Sequence, residues 1–123
     1  MNGNRLFVDT NILIYMLEGN NRIAKSIEGK ELYISEITEI ELLGKFGISK
    51  KEVELIKQLL SDCFIVSINT KIKDTAISLK QKFKIKLPDA LIAASCTYID
   101  LPFFTADKGF SKIPNLDCVI IEI

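Results

Sequence analysis

Four acidic residues lie at positions where the side chains of an α/β protein can come together in an active site. Asp9 directly follows the short apolar run RLFV, and Asp107 follows the apolar run LPFFT by two residues. Asp89 comes just after Pro88, and Glu41 lies within the segment EITEIELL. A buried carboxylate needs hydrogen bonds, solvent or a cation, because leaving it unpaired is costly. Such hard oxygen ligands suit Mg²⁺ or Mn²⁺, which can activate water for attack on a phosphodiester.

Each of these acids also has a purely structural interpretation. Asp9 suits the N-cap of a following helix, Asp89 suits the positive end of a helix dipole, and Asp107 suits a turn. For the fourth acid, Glu41, the helical repeat places Glu39 and Glu41 on opposite flanks of one apolar stripe. Periodicity therefore leaves open which of these two glutamates faces the other acids.

Composition excludes several kinds of active site. The chain has 123 residues, a formal net charge of zero and no histidine, which argues against zinc sites, Ser-His-Asp triads and Cys-His pairs. Cys63, Cys96 and Cys118 are widely spaced, which indicates free thiols in a reducing compartment. The N-terminus lacks the apolar core of a signal peptide, and no apolar stretch approaches the roughly 20 residues that span a bilayer. We therefore expect a cytoplasmic protein with no membrane association.

Strand patterns alternate with helix patterns along the chain. The expected strands cover residues 5–8, 32–35, 63–68, 101–105 and 118–123. The expected helices cover residues 11–19, 20–28, 36–46, 49–62, 70–84 and 88–99, and a polar turn is expected at 106–110. Alternation of this kind predicts one α/β domain over residues 1–123, with three α/β/α layers and a mainly parallel sheet of about five strands. Ligands of such sheets collect at the carboxyl ends of the strands, where several of the acids are expected.

Four segments, in this order, resemble the PIN-domain family of ribonucleases: FVDTNILIYML, SEITEIELLG, LPDALIAASC and FFTADKGF. They are most similar to the small members that act as VapC-type toxins of toxin–antitoxin pairs. The resemblance runs from about residue 5 to residue 112. It selects Glu41 rather than Glu39, because the second acid of the family is the Glu of the E-L-L-G segment.

The resemblance implies a metal-dependent ribonuclease that uses Mg²⁺ or Mn²⁺ and leaves a 5′-phosphate. The catalytic and metal-binding acids of the family fall on Asp9, Glu41, Asp89 and Asp107. The first three would bind the principal ion, and the fourth would complete the site or help a second ion. The polar positions that support the acids fall on Thr10, Asn11 and Thr105.

A lysine-rich stretch adds a candidate RNA contact. Residues 71–86 carry six lysines against one acid, Asp74, in a chain that is neutral as a whole. The stretch is either a solvated helix face or a rim that contacts phosphates through Lys82, Lys84 and Lys86.

The resemblance also implies a small antitoxin partner and a homodimer. Ile14, Met16 and Leu17 are candidate contacts for a partner, although core packing explains them equally well. Two alternatives stay open: a PIN-like interaction module without catalysis, and an RNA-processing nuclease that is not paired with an antitoxin. Receiver domains and phosphatases of the haloacid dehalogenase type are disfavoured, because a single acid follows the first strand and Asn11 stands where such a phosphatase needs aspartate.

Overall fold

A five-stranded parallel sheet forms the centre of the computed structural model, which describes residues 4–122. The strands are β1 (Arg5–Val8), β2 (Glu31–Ser35), β3 (Cys63–Val66), β4 (Phe103–Thr105) and β5 (Cys118–Ile120). Their spatial order is β3-β2-β1-β4-β5, and every neighbouring pair is parallel. The predicted α/β class with a parallel sheet is confirmed.

Six α-helices and one 3₁₀ helix connect the strands over the described residues. The α-helices are α1 (Thr10–Leu17), α2 (Asn21–Ser26), α3 (Glu36–Leu43), α4 (Lys50–Ser61), α5 (Thr70–Lys82) and α6 (Leu87–Ile99). The 3₁₀ helix covers Lys108–Lys112. Within residues 4–122, none of the helices has the length and apolar character needed to cross a bilayer.

Side chains of the central strand β1 point alternately to the two faces of the sheet, and each face has its own core cluster. Leu6 and Val8 of β1 join a cluster with residues of the first four helices, whereas Phe7 points into a second cluster with Phe103 and the α6 residue Ile92. Helix α5 packs along α6 on this second side. Because side chains alternate along a strand, both faces of the sheet are covered by helices, which gives the three layers expected from the sequence.

Local signals fix several boundaries. Ser49 and Glu52 form a capping box at the start of α4, and the Ser35 hydroxyl accepts the Ile37 amide at the start of α3. Helix α1 ends before Gly19, whose φ of +82° is a left-handed conformation that glycine adopts without strain. The predicted helix starts at Ser35 and Ser49 are confirmed.

Several boundaries differ from the prediction: α2 is shorter than the expected 20–28, α3 ends at Leu43 rather than at residue 46, and β4 begins at Phe103 rather than at residue 101. Three further segments also differ. Strand β3 stops at Val66, because the Ile68 amide donates to the Glu36 carboxylate instead of extending the sheet ladder. The 3₁₀ helix begins within the polar turn expected at 106–110, and its residue Phe110 is buried in the second cluster. The last strand ends at Ile120, and Ile123 of the predicted strand lies outside the described residues.

Candidate active site

The four acids singled out in the sequence line one cavity of about 300 Å³, which we call the acidic cavity. It lies where β1 and β4 end and where α1 and α6 begin. Its lining comprises Asp9, Thr10, Asn11, Ile14, Glu41, Asp89, Ile92, Asp107 and Phe110. Folding therefore brings together side chains that are separated by up to 98 positions in the chain, from Asp9 to Asp107.

Asp9 is the buried member of the group, with 3% of its surface exposed. One carboxylate oxygen accepts the Ile12 amide at 3.0 Å and caps α1, and the other accepts the Thr105 hydroxyl. Burial raises the pKa of Asp9, and the nearby charges of Asp107 and Asp89 raise it further, against the lowering effect of the hydrogen bonds. The carboxylate is thus held by the fold in an environment that favours a compensating cation.

Asp107 is joined to Asp9 through the same threonine. The Asp107 amide donates to Thr105 Oγ1 at 3.0 Å, while the Thr105 hydroxyl donates to Asp9. The Asp107 carboxylate in turn accepts the Gly109 amide at 2.8 Å at the start of the 3₁₀ helix. A Cβ at residue 109 would lie 3.0 Å from that same oxygen, so glycine allows this close approach. Thr105 therefore couples the ends of β1 and β4.

Glu41 is oriented by a hydrogen bond from α1. Thr10 Oγ1 donates to Glu41 Oε1 at 2.7 Å, and the same hydroxyl oxygen lies 3.0 Å from Thr38 Oγ1. Glu41 lines the acidic cavity, whereas Glu39 is not among its lining residues. The structure thus answers the question that helical periodicity left open about the orientation of these two side chains.

Asp89 lies in the first turn of α6 and is half-buried. Burial raises its pKa, as do the charges of Asp107 and Glu41, while Lys86 and Lys112 act in the opposite direction. Asp89 thus lies near carboxylates as well as ammonium groups, since Glu41 lines one cavity with it and Lys86 and Lys112 line another.

A second cavity, of about 260 Å³, adjoins the first and shares Asp89, Asp107 and Phe110 with it; we call it the basic cavity. Lys84, Lys86 and Lys112 line it. Lys112 Nζ donates to the Lys84 carbonyl at 3.1 Å, which brings the 3₁₀ helix against the loop before α6. Lys82, the remaining predicted RNA contact, is exposed at the end of α5 and is not among the lining residues.

Comparisons with known proteins identify the family. The sequence model of the PIN domain matches residues 6–116. The chain belongs to the PIN domain family. A protein named Ribonuclease VapC2, from Methanocaldococcus jannaschii, is 26% identical over 100% of this chain and 97% of its own length.

Solved structures of the same fold cover nearly the whole of this PIN domain. One, described as a toxin–antitoxin complex from Klebsiella pneumoniae, is 32% identical, with a TM-score of 0.81 over 96% of this chain and 99% of that one. Another, VapBC2 from Rickettsia felis bound to a promoter DNA fragment, is 21% identical, with a TM-score of 0.84 over 96% and 99% of the two chains. The latter likeness concerns the fold alone.

The acidic cavity of this PIN domain offers oxygen ligands for a divalent ion. Among residues 4–122, no three acidic, cysteine or histidine side chains are gathered closely enough to hold an ion directly. Mg²⁺ usually keeps several waters and takes only one or two protein carboxylates. The buried carboxylate of Asp9 and the half-buried carboxylate of Asp89 repel each other, so they fit a hydrated Mg²⁺ or Mn²⁺ ion, whose charge would stabilise their ionised forms.

An apolar groove extends from the acidic cavity between α1, α3 and α4. It has a volume of about 460 Å³ and shares Ile14 and Glu41 with the acidic cavity. Its lining comprises Ile14, Leu17, Glu18, Glu41, Leu42, Lys45, Glu52, Leu55 and Ile56. Two of the three apolar residues singled out in α1, Ile14 and Leu17, thus line the groove, and Met16 does not.

Two polar side chains of the site were missed by sequence reasoning. Thr38 precedes Glu41 by three positions, a spacing that places two side chains on one helix face and could have pointed to it. Lys112 lies outside the lysine-rich stretch and follows Asp107 by five positions, so no local pattern connects it with Lys84.

Proposed function

We propose that this protein is a metal-dependent endoribonuclease that hydrolyses RNA phosphodiester bonds. The main support for this proposal is one cavity, in a chain of the PIN domain family, that is lined by Asp9, Glu41, Asp89 and Asp107. The name of the Methanocaldococcus relative, a ribonuclease, supports the choice of substrate. The three free cysteines support a reducing compartment such as the cytoplasm as the place of action.

In this proposal, Asp9, Glu41 and Asp89 hold Mg²⁺ or Mn²⁺, directly or through water, and Asp107 completes the site. The bound ion would polarise a phosphate oxygen and lower the pKa of an attacking water. Thr105 keeps the Asp9 carboxylate in place, and Thr10 does the same for Glu41. Such supporting hydrogen bonds orient ligand side chains and strengthen metal binding.

The basic cavity gives the RNA backbone a place beside the acids. Lys84, Lys86 and Lys112 line it, and it shares Asp89 and Asp107 with the acidic cavity. A strand whose scissile phosphate occupies the acidic cavity could therefore place a neighbouring phosphate among ammonium groups. The 5′-phosphate product that the resemblance implies is part of this proposal.

Glu41 and Glu39 offer a matched pair for the test. Purified protein is incubated with end-labelled RNA in Mg²⁺, in Mn²⁺ and with a chelator. We expect cleavage that requires the ion, a large loss of cleavage in Glu41→Gln and near wild-type cleavage in Glu39→Gln, since only Glu41 lines the cavity. The products are mapped for terminal phosphates. Cleavage that persists in the chelator, or that Glu41→Gln leaves unchanged, would contradict the proposal.

We further propose that a small antitoxin binds the apolar groove and closes the acidic cavity. The Klebsiella structure is described as a toxin–antitoxin complex, which supports such a partner. The groove combines apolar side chains such as Leu17 and Leu55 with the carboxylates of Glu18 and Glu41. A segment with apolar and basic side chains would complement this lining.

Leu55 and Ile77 allow a matched test of the groove, because they are 49% and 50% exposed and only Leu55 lines it. The protein is co-expressed with the product of the adjacent gene and the complex is measured by calorimetry. We expect Leu55→Glu to weaken the complex and Ile77→Glu to leave it intact. Equal affinity in both variants would place the partner elsewhere. Growth arrest when the chain is expressed alone supports the toxin, whereas the absence of both growth arrest and a co-purifying partner would favour the unpaired RNA-processing nuclease.

The homodimer is proposed on the resemblance alone. Light scattering coupled to gel filtration measures the mass in solution directly. A mass of twice 13.8 kDa supports the dimer, and a mass equal to that of one chain at all accessible concentrations contradicts it.

A further inference from the structure

Two threonine hydroxyls connect the interior of α3 with the acidic cavity. Thr38 is fully buried, with 0% of its surface exposed, whereas Glu41, three residues later in α3, is exposed. Thr38 Oγ1 lies 3.0 Å from Thr10 Oγ1, which lies 2.7 Å from Glu41 Oε1. The hydroxyls therefore form a chain that runs from the core to a carboxylate.

The chain has a defined direction. A threonine hydroxyl has one proton to donate, and an ionised carboxylate can only accept. The Thr10 proton is therefore given to Glu41, so the contact between the two threonines requires Thr38 to donate to a lone pair of Thr10. In this arrangement each hydrogen bond strengthens the next.

We infer that Thr38 is a positioning residue, which fixes the Thr10 hydroxyl and thereby holds Glu41 in its orientation toward the acidic cavity. A long, exposed glutamate has several rotamers of similar energy, and hydrogen bonds select among them. Thr38 acts without contacting the substrate or the ion. The inference rests on the proposed function to the extent that Glu41 is a metal ligand.

The simplest competing role for Thr38 is structural: a buried hydroxyl that is merely satisfied by Thr10. The two roles differ in what Thr38→Val does. This variant keeps the shape of the side chain and removes the donor, whereas Thr38→Ser keeps the donor. A structural role predicts a loss of stability alone, and a positioning role predicts an effect on Glu41 that serine rescues.

The first measurement requires no metal. Side-chain order parameters of the glutamates are measured by NMR relaxation on the full chain, with Glu39 as an internal reference. We expect the order parameter of Glu41 to fall in Thr38→Val and in Thr10→Val, and to stay at the wild-type value in Thr38→Ser. An unchanged Glu41 in Thr38→Val overturns the inference, whatever the chemistry of the site.

The second measurement is calorimetric titration with Mn²⁺. We expect Thr38→Val to weaken binding by about 10-fold, within the range known for groups that orient metal ligands, and Thr38→Ser to restore it. Because both threonines act through one hydroxyl chain, Thr10→Val/Thr38→Val should bind no more weakly than Thr10→Val alone. Additive losses in the double variant would overturn the inference.

Ser95→Ala is the matched control, since Ser95 is also fully buried and does not line the acidic cavity, and its hydroxyl contacts the Leu91 carbonyl and the Ser35 hydroxyl rather than Thr10, Thr38 or Glu41. It should lower the thermal stability and leave Mn²⁺ affinity unchanged. If the wild-type protein binds no Mn²⁺ but the order parameter of Glu41 falls in Thr38→Val, the proposed function is contradicted and the positioning role is supported. If Mn²⁺ binds and Thr38→Val has the wild-type affinity, the positioning role fails alone.

Discussion

The acidic cavity and the basic cavity meet at Asp89 and Asp107 but are held in different ways. In the first, Asp9 is buried and both of its oxygens accept hydrogen bonds, one from Thr105 at a distance of 96 positions in the chain. In the second, Lys84 and Lys86 are exposed, so their ammonium groups stay in contact with water. Contacts inside the core hold the side chains of the acidic cavity, whereas the lysines of the basic cavity lie at the surface.

Each cavity is therefore sensitive to a different kind of substitution. A buried carboxylate that is bonded at both oxygens cannot shift without breaking bonds inside the fold, so its replacement should have a large and specific effect. Exposed ammonium groups act through water and are screened by salt over roughly 10 Å at moderate ionic strength. Their replacement should have smaller effects that depend on the salt concentration.

Asp9→Asn is expected to have the largest effect. Cleavage of labelled RNA should fall by at least about 100-fold, more than is usual for a group that only supports a ligand. The asparagine carbonyl can still cap α1, so thermal unfolding should change little. Asp74→Asn, on the exposed surface of α5, is the control. Wild-type cleavage by Asp9→Asn would remove Asp9 from the site.

Stability should depend jointly on pH and divalent ion. Burial raises the pKa of Asp9 and Asp89 above the ordinary value of 3.8, so the folded chain binds these protons more tightly than the unfolded chain. In the absence of metal, the free energy of unfolding therefore falls as the pH rises from 3.8 through the raised values. A divalent ion at a concentration of about 100 times its dissociation constant should raise the free energy of unfolding by about 2.7 kcal/mol at neutral pH.

Thermal unfolding from about pH 3 to pH 7, with and without Mn²⁺, measures this dependence. Stabilisation by Mn²⁺ should disappear at the acid end, where the carboxylates are protonated, and should be much reduced in Asp9→Asn. Equal stabilisation at every pH would show that the ion binds elsewhere.

Thr105→Val should have an intermediate effect. The valine suits β4 but leaves the Asp107 amide without its acceptor and one of the two Asp9 oxygens without its donor, while the Ile12 amide still donates to the other. We expect Mn²⁺ affinity to fall by about 10- to 100-fold in calorimetric titration. Thr97→Val, which removes a hydroxyl bound to the Ala93 carbonyl in α6, is the control and should bind Mn²⁺ normally.

Charge reversal in the basic cavity should have the smallest effect. In Lys84→Glu/Lys86→Glu, RNA affinity should weaken most at low salt. The slope of log affinity against log salt should decrease by about 0.7 for each lost phosphate contact. Lys82→Glu and the double variant Lys71→Glu/Lys73→Glu change the net charge without altering the cavity lining. If these controls lose as much RNA affinity as Lys84→Glu/Lys86→Glu, the lysines of the basic cavity act only as part of a diffuse positive charge.

The sequence allowed much of the fold to be predicted, because its strands are short apolar runs and its helices begin at recognisable caps such as Ser49. The position of Asp9 after β1 was evident for the same reason. The orientation of Glu41 was not evident from helical periodicity, which treats Glu39 and Glu41 alike, and only the family resemblance selected Glu41. This orientation depends on Thr10, 31 positions away, and such a contact exists only once α1 and α3 pack together.

Asp9 serves α1 and the cavity with the same carboxylate. Replacement of Asp9 by asparagine or serine would remove the charge and keep a side chain that can cap α1. Replacement by alanine would remove the charge and the helix cap together. Among relatives of this sequence that lack the other acids of the cavity, position 9 should therefore be enriched in asparagine and serine, because these residues keep the cap of α1.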